Sequence, residues 1–378
     1  MTSLYIHIPF CIRKCHYCDF NSGPHPSALM DRYIQTLGKE WEARAITSPF
    51  RTVYIGGGTP TALNEGQLER LFALVGDVIG SNRPEEYTIE ANPGTLSPGK
   101  VRLIKMGGVS RISLGVQSFS ERGLMLLGRI HGPAEAEEGF YMLRDAGFSN
   151  ISLDLIFGWP GQTLEEWGQD LQRVVGLGPE HVSAYCLTVE RGTPLSRDVR
   201  TGRLSRPDED LQHKMFRKAI SLFARAGYRH YEVSNFALKG GRATPDKECL
   251  HNINYWHNGP YLGLGAGAFS YVNSRRSSNV KDVQKYIEKI NLGKGATTFA
   301  ETLSPRRRAA ETLVMALRMR SGITEGEFYR RTGYSLTELY GQSIKKFNRL
   351  GLLSLAGGRL HLTQKGLFLA NQVMVEFV

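Results

Sequence analysis

Short apolar runs alternate with amphipathic stretches through the first half of the chain. Six such runs predict strands, at Leu4–Ile8, Val53–Ile55, Tyr87–Ala91, Arg111–Gly115, Ile151–Ile156 and His181–Cys186. Between them, helical periodicity predicts helices over Ser27–Ala45, Asn64–Ile79, Ser97–Met106, Ser120–Leu127, Ala134–Ala146 and Leu164–Val175. This alternation is typical of an α/β fold with a parallel sheet and outer helices. Six units rather than eight predict a partial (βα)6 TIM-like barrel with one open side.

The pattern changes after Cys186. We expect a polar helix over Asp208–Ala226, a strand over Tyr228–Val233, a strand or bend with alternating glycines over Tyr261–Ala268, and a loop over Ser274–Asn279. The last eighty residues predict three helices, Arg306–Arg320, Thr324–Thr332 and Leu336–Leu350, and then a hairpin, Leu352–Leu355 with Arg359–Leu362. We therefore expect a barrel over residues 1–235, an extension over 236–298 and a winged-helix-like α+β domain over 299–378.

Composition and charge narrow the function only slightly. The 378 residues are 41% apolar and 22% charged, as in ordinary globular proteins, and no segment has the apolar length needed to span a bilayer. The first residues lack a secretory signal pattern, so a cytoplasmic protein is expected. The net charge of +11 suits an anionic partner: a nucleic acid, a carboxylated ligand or an acidic membrane surface.

Three of the five cysteines are clustered directly after the first strand, at Cys11, Cys15 and Cys18. Three thiols cannot all pair as disulfides, so the C-x3-C-x2-C spacing indicates a metal site. Zinc would need a fourth ligand, for which His16 is the near candidate. An iron–sulfur cube needs only these three thiolates and leaves one iron open to a substrate, so we predict a [4Fe–4S] cluster.

Polar and glycine residues follow the ends of several predicted strands, where a barrel of this kind carries its chemistry. They are Gly56-Gly57-Gly58-Thr59-Pro60, Glu90, Gln117, Arg129 (after the next helix) and Asp154. Consecutive glycines either form a tight turn or let the backbone approach a ligand closely. Asp154 lies between aliphatic residues, where burial without a partner is costly, so a binding role is expected.

These motifs together resemble the radical S-adenosylmethionine (SAM) family, and in particular its oxygen-independent coproporphyrinogen III oxidase-like members. The run from Tyr5 to Cys11, with Cys15, Tyr17 and Cys18, is similar to the family's cluster loop, and Gly56–Thr61 is similar to its SAM loop. The resemblance implies that the cysteines hold a [4Fe–4S] cluster. It also implies that SAM is contacted by Tyr5, Tyr17, Gly57, Gly58, Thr59, Glu90, Gln117, Arg129 and Asp154.

Two departures from the oxidase pattern favour a haem-chaperone branch of the family. Phe20 stands where the oxidase has a further cysteine, and the oxidase's N-terminal extension before the cluster loop has no counterpart. The motif H-N-x-x-Y-W of that branch is present as His251, Asn252, Tyr255 and Trp256. An imidazole can ligate haem iron and aromatic rings can stack on the macrocycle. A packed loop with a satisfied histidine is the structural alternative.

The resemblance therefore implies a haem chaperone that binds a cluster, SAM and haem and delivers haem to acceptor proteins, membrane-bound respiratory enzymes among them. It also implies a cytoplasmic protein that could attach to the membrane surface. Two other classes stay open. One is a radical enzyme that decarboxylates or otherwise modifies a tetrapyrrole. The other is a nucleic-acid-modifying enzyme, suggested by the net charge and the winged-helix pattern. The H-N-x-x-Y-W motif argues against this second class, so no nucleic-acid partner is expected.

Overall fold

Six parallel strands, adjacent in chain order, form the centre of the main sheet in the computed structural model, which describes residues 2–44, 49–240 and 246–378. They are β1 (Thr2–Ile8), β2 (Phe50–Gly57), β3 (Glu86–Ala91), β4 (Arg111–Gln117), β5 (Ile151–Phe157) and β6 (His181–Cys186). The helices between them are α1 (Ser27–Arg44), α2 (Glu65–Ile79), α3 (Pro98–Met106), α4 (Glu121–Leu127), α5 (Pro133–Asp145) and α6 (Leu164–Leu177). The predicted partial barrel is confirmed; Ala45, the predicted end of the first helix, lies outside the described residues.

The helix starts follow from local capping chemistry. Ser97 accepts a hydrogen bond from the backbone N–H of Lys100 at 3.2 Å, and Pro98 occupies the first helical position of α3, where no N–H is needed. Asn64 and Thr163 each form a reciprocal capping box at the start of α2 and α6. Each cap follows a strand end, so the strand–helix connections are short and well defined.

The sheet extends beyond the barrel at both edges, to twelve strands in the order β12-β11-β10-β9-β1-β2-β3-β4-β5-β6-β8-β7. The added strands are β7 (Tyr228–His230), β8 (Asn235–Leu238), β9 (Tyr261–Leu264), β10 (Phe269–Val272), β11 (Arg275–Asn279) and β12 (Thr297–Thr302). The helices of this part are α7 (Pro194–Arg200), α8 (Glu209–Arg225), α9 (Leu250–Trp256) and α10 (Val283–Asn291).

Two sequence predictions in this region are wrong. Residues 274–279 were expected to form a loop because they are polar, but β11 pairs on both sides, with β10 and β12, and so gains its stability from backbone hydrogen bonds. The strand expected over Tyr228–Val233 ends at His230, because the chain turns and returns antiparallel as β8.

The C-terminal part has the predicted winged-helix-like arrangement. It contains α11 (Pro305–Arg318), β13 (Ile323–Thr324), α12 (Glu325–Thr332), α13 (Leu336–Arg349), β14 (Leu353–Ala356), β15 (Arg359–Leu362), α14 (Gln364–Phe368) and α15 (Ala370–Met374), with a three-stranded sheet in the order β13-β15-β14. The division proposed at residue 299 falls inside β12, a strand of the main sheet. The domain limits therefore remain a prediction.

Side chains that point into the barrel are mostly polar, because polar residues alternate with aliphatic ones along each strand. Glu86, Thr88 and Glu90 of β3 alternate with Tyr87 and Ile89, which join the core between sheet and helices. Register places Tyr5 beside Tyr54, and Glu90 beside Ser113. The interior of the barrel is therefore built to hold polar groups rather than to close as an apolar core.

The C-terminal part packs against the edge of the barrel through backbone contacts. Arg320 donates its backbone N–H to the carbonyl of Tyr231 at 2.9 Å, and Val233 donates to the carbonyl of Arg318 at 3.1 Å. The connection between β7 and β8 is therefore fixed to the end of α11. Among the described residues, no helix is both long enough and apolar enough to cross a bilayer.

Candidate functional site

The three clustered cysteines lie on one loop that covers the carboxyl end of the barrel. This cysteine loop, residues 9–23, is fixed to the barrel by backbone hydrogen bonds from Thr59 to Phe10 at 2.7 Å and from His16 to Leu127 at 3.0 Å. Cys11, Cys15 and Cys18 are free thiols and line a single cavity of about 410 Å³, here called the main cavity. The loop thus brings all three predicted cluster ligands to one chamber.

Two of the sulfur atoms accept hydrogen bonds from residues outside the cysteine loop. Arg129 Nη1 donates to Cys15 Sγ at 3.3 Å, and Thr59 Oγ1 donates to Cys11 Sγ at 3.7 Å. Burial raises the pKa of the Cys11 and Cys18 thiols. A metal centre lowers thiol pKa values and takes the deprotonated sulfur as its ligand. Hydrogen-bond donors to sulfur stabilise that deprotonated form, so Arg129 and Thr59 fit a site for a cluster.

The alternative zinc site finds no ligand set in this geometry. Nowhere in residues 2–44, 49–240 and 246–378 do three His, Cys, Asp or Glu side chains converge on a point that could hold a single metal ion. His16, the candidate fourth ligand, instead donates its Nδ1–H to the carbonyl of Leu126 at 2.9 Å. Cys11, Cys15 and Cys18 line the main cavity together, and three thiolates are enough to hold a [4Fe–4S] cluster.

The glycine run at the end of β2 lies directly beneath the cysteine loop. A Cβ atom on Gly58 would lie 2.6 Å from the carbonyl oxygen of Phe10 and 2.9 Å from Cys11 Sγ, while one on Gly57 would lie 2.5 Å from the ring of His7. Gly57 also has a φ of +119°, which a side chain disfavours. The glycines therefore let the backbone pass close to His7 and to the cysteine loop. The close approach to a ligand remains a prediction.

A row of polar side chains forms the wall opposite the cysteine loop. Glu90 accepts hydrogen bonds from the Gly57 N–H at 3.0 Å and from the Tyr54 hydroxyl at 2.9 Å. Burial raises the pKa of Glu90 to about 7, although these two donors act to lower it. Asp154 accepts from Ser113 at 2.9 Å, and burial likewise raises its pKa. Both carboxyl groups face the main cavity. The wall can therefore accept hydrogen bonds from a bound amine or hydroxyl.

Gln117 and Arg129 complete this wall. Gln117 has a φ of 70°, a left-handed conformation that glutamine rarely adopts and that tends to persist at binding sites. Arg129 is held by the carbonyl of Gly115 at 2.7 Å and by Cys15, while its Nε has no partner in the described structure. That unpaired buried donor fits an anionic group such as a carboxylate.

The structure brings nearly all predicted SAM contacts to the main cavity: Tyr17, Gly57, Gly58, Thr59, Glu90, Gln117, Arg129 and Asp154 line it. Tyr5 is the exception, because its hydroxyl bonds to His7 Nδ1 at 3.0 Å and its ring faces an adjoining chamber. We call this second space, of about 320 Å³, the rear chamber; it is lined by Tyr5, Tyr54, Glu90, Tyr185, Glu232, Ser234, Asn235, His251, Asn252, Tyr255, Trp256 and Arg318.

The H-N-x-x-Y-W motif forms helix α9, which fills the part of the barrel behind the main cavity. The carboxylate of Glu86 accepts from the N–H groups of Leu250 and His251, at 3.0 Å each, and so caps the start of the helix. Tyr255 and Trp256, at the other end of α9, face the rear chamber together with Asn252. The four predicted haem residues are therefore together, with His251 deepest.

His251 is 1% exposed, and both of its ring nitrogens are hydrogen-bonded. Thr52 donates its hydroxyl to Ser3 and so accepts from His251 Nδ1–H at 2.8 Å, which leaves Nε2 to accept from the Tyr255 hydroxyl at 3.1 Å. Burial, with Arg111 nearby, lowers the His251 pKa to about 3, so the ring is neutral. Haem ligation by Nε2 requires Tyr255 to release this bond, and the ligand role stays a prediction.

Sequence reasoning missed several polar residues of the two chambers, chiefly Tyr54, Arg111, Ser113, Ser183 and Tyr185. The strands had been predicted from their apolar residues alone. The polar residues that alternate with them along each strand were the pattern that could have pointed to these side chains. Glu232 and Arg318, in the rear chamber, had no local signal, since their sequence neighbours carry no motif.

Comparison with known proteins agrees with this geometry. A family model of the radical SAM superfamily matches residues 5–174, and one of the HemN C-terminal domain matches residues 303–369. Among solved structures, coproporphyrinogen III oxidase (HemN) from Escherichia coli superposes with a TM-score of 0.86 over 100% of this chain and 89% of that one, at 22% identity. The fold and the cysteine loop therefore define a radical SAM protein, a class whose cofactors are a [4Fe–4S] cluster and SAM.

Curated relatives narrow the class further. The chain is 38% identical over 376 residues to heme chaperone HemW of Lactococcus lactis, covering 100% of this chain and 97% of that protein. It is 36% identical over 382 residues to heme chaperone HemW of Bacillus subtilis, covering 100% and 99%. The chain belongs to the HemW family within the radical SAM superfamily.

Proposed function

We propose that this protein is a haem chaperone, which binds haem next to a cluster and SAM site and delivers it to acceptor proteins. The observation that carries the proposal is the rear chamber, where Tyr255 and Trp256 of α9 face a space that shares Tyr54, Glu90 and Tyr185 with the main cavity. The full-length similarity to proteins named heme chaperone supports the same function.

In the main cavity, we propose that Cys11, Cys15 and Cys18 hold the cluster and that the opposite wall holds SAM. Arg129 has a free buried Nε for the carboxylate of SAM, and Glu90 and Asp154 offer acceptors for its amine and hydroxyl groups. When bound, the cluster supplies one electron at a time and SAM a cleavable sulfonium. The residues of this chain bind and orient these groups and exclude water.

In the rear chamber, we propose that Tyr255 and Trp256 pack on the macrocycle and that His251 Nε2 binds iron once the Tyr255 hydroxyl has moved away. Aromatic rings stack favourably on flat ligands, and a neutral imidazole is a good iron ligand. The low pKa of His251 keeps the ring neutral throughout the physiological pH range. Asn252, which lines both chambers, stands between the two sites.

The main alternative is a coproporphyrinogen III oxidase-type enzyme, which the likeness of fold to HemN permits. Phe20 occupies the position of the oxidase's additional cysteine. It lines the main cavity and is 64% exposed, so the cavity has an apolar ring at this position where the oxidase has a thiol. This difference supports the chaperone.

The two functions are separated by one anaerobic experiment on the reconstituted protein with SAM and a reductant. The sample receives either haem or coproporphyrinogen III. A chaperone should retain haem through gel filtration and leave coproporphyrinogen unchanged. Steady formation of protoporphyrinogen, with no retained haem, would establish the oxidase-type activity instead.

A further inference from the structure

The rear chamber contains four buried polar atoms that lack hydrogen-bond partners in the described structure. They are Glu232 Oε2, Asn235 Oδ1, Trp256 Nε1 and Arg318 Nε. Glu232 is 0% exposed and Asn235 is 2% exposed, so these are not surface groups turned towards solvent. Buried polar atoms are nearly always paired, and four unpaired ones around one space indicate that a polar group belongs there.

Arg318 is the only one of the four with a permanent charge. Its guanidinium carbon lies over the Trp256 ring, 4.2 Å from the ring centre, and this cation–π contact holds the guanidinium beside the indole. None of the ion pairs among the described residues includes Arg318. The cation therefore faces the chamber without an acidic side chain in contact.

The nearest acidic group does not compete strongly for this cation. Glu232 accepts from the N–H of Ser234 at 2.9 Å, and burial raises its pKa to about 7 even though Arg318 opposes the shift. A carboxyl that is partly protonated at neutral pH can donate a hydrogen bond to an anion. The amide of Asn235 can also present its NH2 group, since its oxygen is unpaired.

Four tyrosine rings also line the rear chamber, beside the smaller polar groups named above: Tyr5, Tyr54, Tyr185 and Tyr255. A space with aromatic walls and a cation at one side matches a flat ligand that carries a carboxylate on its edge. The haem propionates are such groups.

From this arrangement we propose that Arg318 and Trp256 form the carboxylate-binding end of the haem site, where the guanidinium and the indole N–H bind a propionate. Glu232 and Asn235 border the same carboxylate. The proposal rests on the haem-chaperone function and extends it, because Arg318 lies in α11, outside the H-N-x-x-Y-W motif, and draws the C-terminal part of the chain into ligand recognition.

The test combines variants of the protein with a variant of the ligand. Wild type, Arg318→Gln, Arg318→Lys and the control Arg306→Gln are titrated anaerobically with haem and with haem dimethyl ester, in which both propionates are blocked. Arg306 is exposed on the same helix, so its variant reports the loss of charge alone. Circular dichroism checks that each variant is folded.

We expect Arg318→Gln to weaken haem binding about ten- to one-hundredfold, the usual effect of losing a hydrogen bond to a charged group. Arg318→Lys should recover part of that loss, and Arg306→Gln should bind like wild type. The ester should bind wild type weakly. Its affinity for Arg318→Gln should be no lower than its affinity for wild type. Haem affinity unchanged in Arg318→Gln, or an ester penalty that persists in it, would overturn the carboxylate site while leaving the chaperone intact. Failure of wild type to bind haem at all would overturn both.

Discussion

Glu86 on β3 accepts the backbone N–H of His251 at 3.0 Å, which joins the barrel wall directly to the helix that carries the H-N-x-x-Y-W motif. The same carboxylate also accepts from Leu250 and lies 3.5 Å from Cys249 Sγ. Glu86 is 3% exposed. The backbone at the start of α9 is therefore fixed to the barrel wall, while the side chains of the motif line the rear chamber.

This attachment of α9 to β3 predicts that substitutions of two adjacent glutamates, Glu85 and Glu86, differ greatly in their effect on stability. Glu86→Gln should lower the free energy of unfolding by about 2–3 kcal/mol, because a neutral amide replaces a buried carboxylate that caps α9. Glu85→Gln is the matched control: Glu85 pairs with Arg51 at the surface, so its loss should change stability by no more than about 0.5 kcal/mol. Urea unfolding followed by circular dichroism measures both. Equal midpoints for the two variants would contradict the capping role.

Iron content tests the three cysteines. Cys15→Ala should fail to retain a stable cluster after anaerobic reconstitution, whereas wild type should hold about four irons per chain. Cys186→Ala is the control, since Cys186 lines the main cavity but lies outside the cysteine loop. A full complement of iron and sulfide in Cys15→Ala, or stoichiometric zinc without sulfide in wild type, would show that the site has been assigned to the wrong metal centre.

Glu90 should affect SAM without affecting the cluster. Its carboxylate accepts from Gly57 and Tyr54 and faces the main cavity. Glu90→Gln should weaken SAM binding about tenfold, because an amide accepts fewer hydrogen bonds than a carboxylate. Calorimetry with SAM measures the affinity, iron content checks the cluster, and Glu121→Gln on the surface of α4 serves as control. Unchanged SAM affinity at full iron content would move SAM away from this wall.

Stability should depend on pH through His181. This buried ring bonds to the hydroxyls of Ser152 and Tyr231, at 2.8 Å each, and burial, together with Arg111, lowers its pKa well below 6.5. The unfolded chain therefore binds a proton that the folded chain does not, so the contribution of His181 is present above pH 6.5 and is lost as the pH falls.

The measurable consequence is a difference between wild type and His181→Gln. The variant should be less stable than wild type at pH 7, and the gap should shrink at pH 5, because the unfolded wild-type chain binds a proton at His181 that the folded chain does not. The decrease is at most about 2 kcal/mol, the limit set by the 1.5 pH units between pH 5 and the unfolded pKa of about 6.5. Urea unfolding at both pH values measures the gap. A gap that stays constant would mean that the pKa of His181 is the same in the folded and the unfolded chain.

The cluster loop and the barrel could be predicted from the sequence because their signals are local. The spacing of Cys11, Cys15 and Cys18 and the apolar strands are visible within a few residues. The strand β11 was missed because Arg275–Asn279 is polar and is stabilised by its neighbours rather than by its own burial. The H-N-x-x-Y-W motif singled out His251, but the helix α9 that carries it was not predicted. The position of His251 depends on Thr52 and Glu86, which lie 199 and 165 residues earlier in the chain. The rear chamber depends on Arg318 meeting Trp256, a contact that no local pattern predicts.

Haem binding through α9 can be followed by an anaerobic absorption titration with haem. Wild type should bind haem saturably and stoichiometrically, with a shifted Soret band. His251→Ala should lose the imidazole-ligated spectrum, whereas Tyr255→Phe should keep it, because removing the hydroxyl frees His251 Nε2 without removing the aromatic wall. Tyr329→Ala, an exposed tyrosine on α12, is the control and should behave like wild type. No saturable binding by wild type, or identical spectra in wild type and His251→Ala, would show that haem does not bind through His251 of α9.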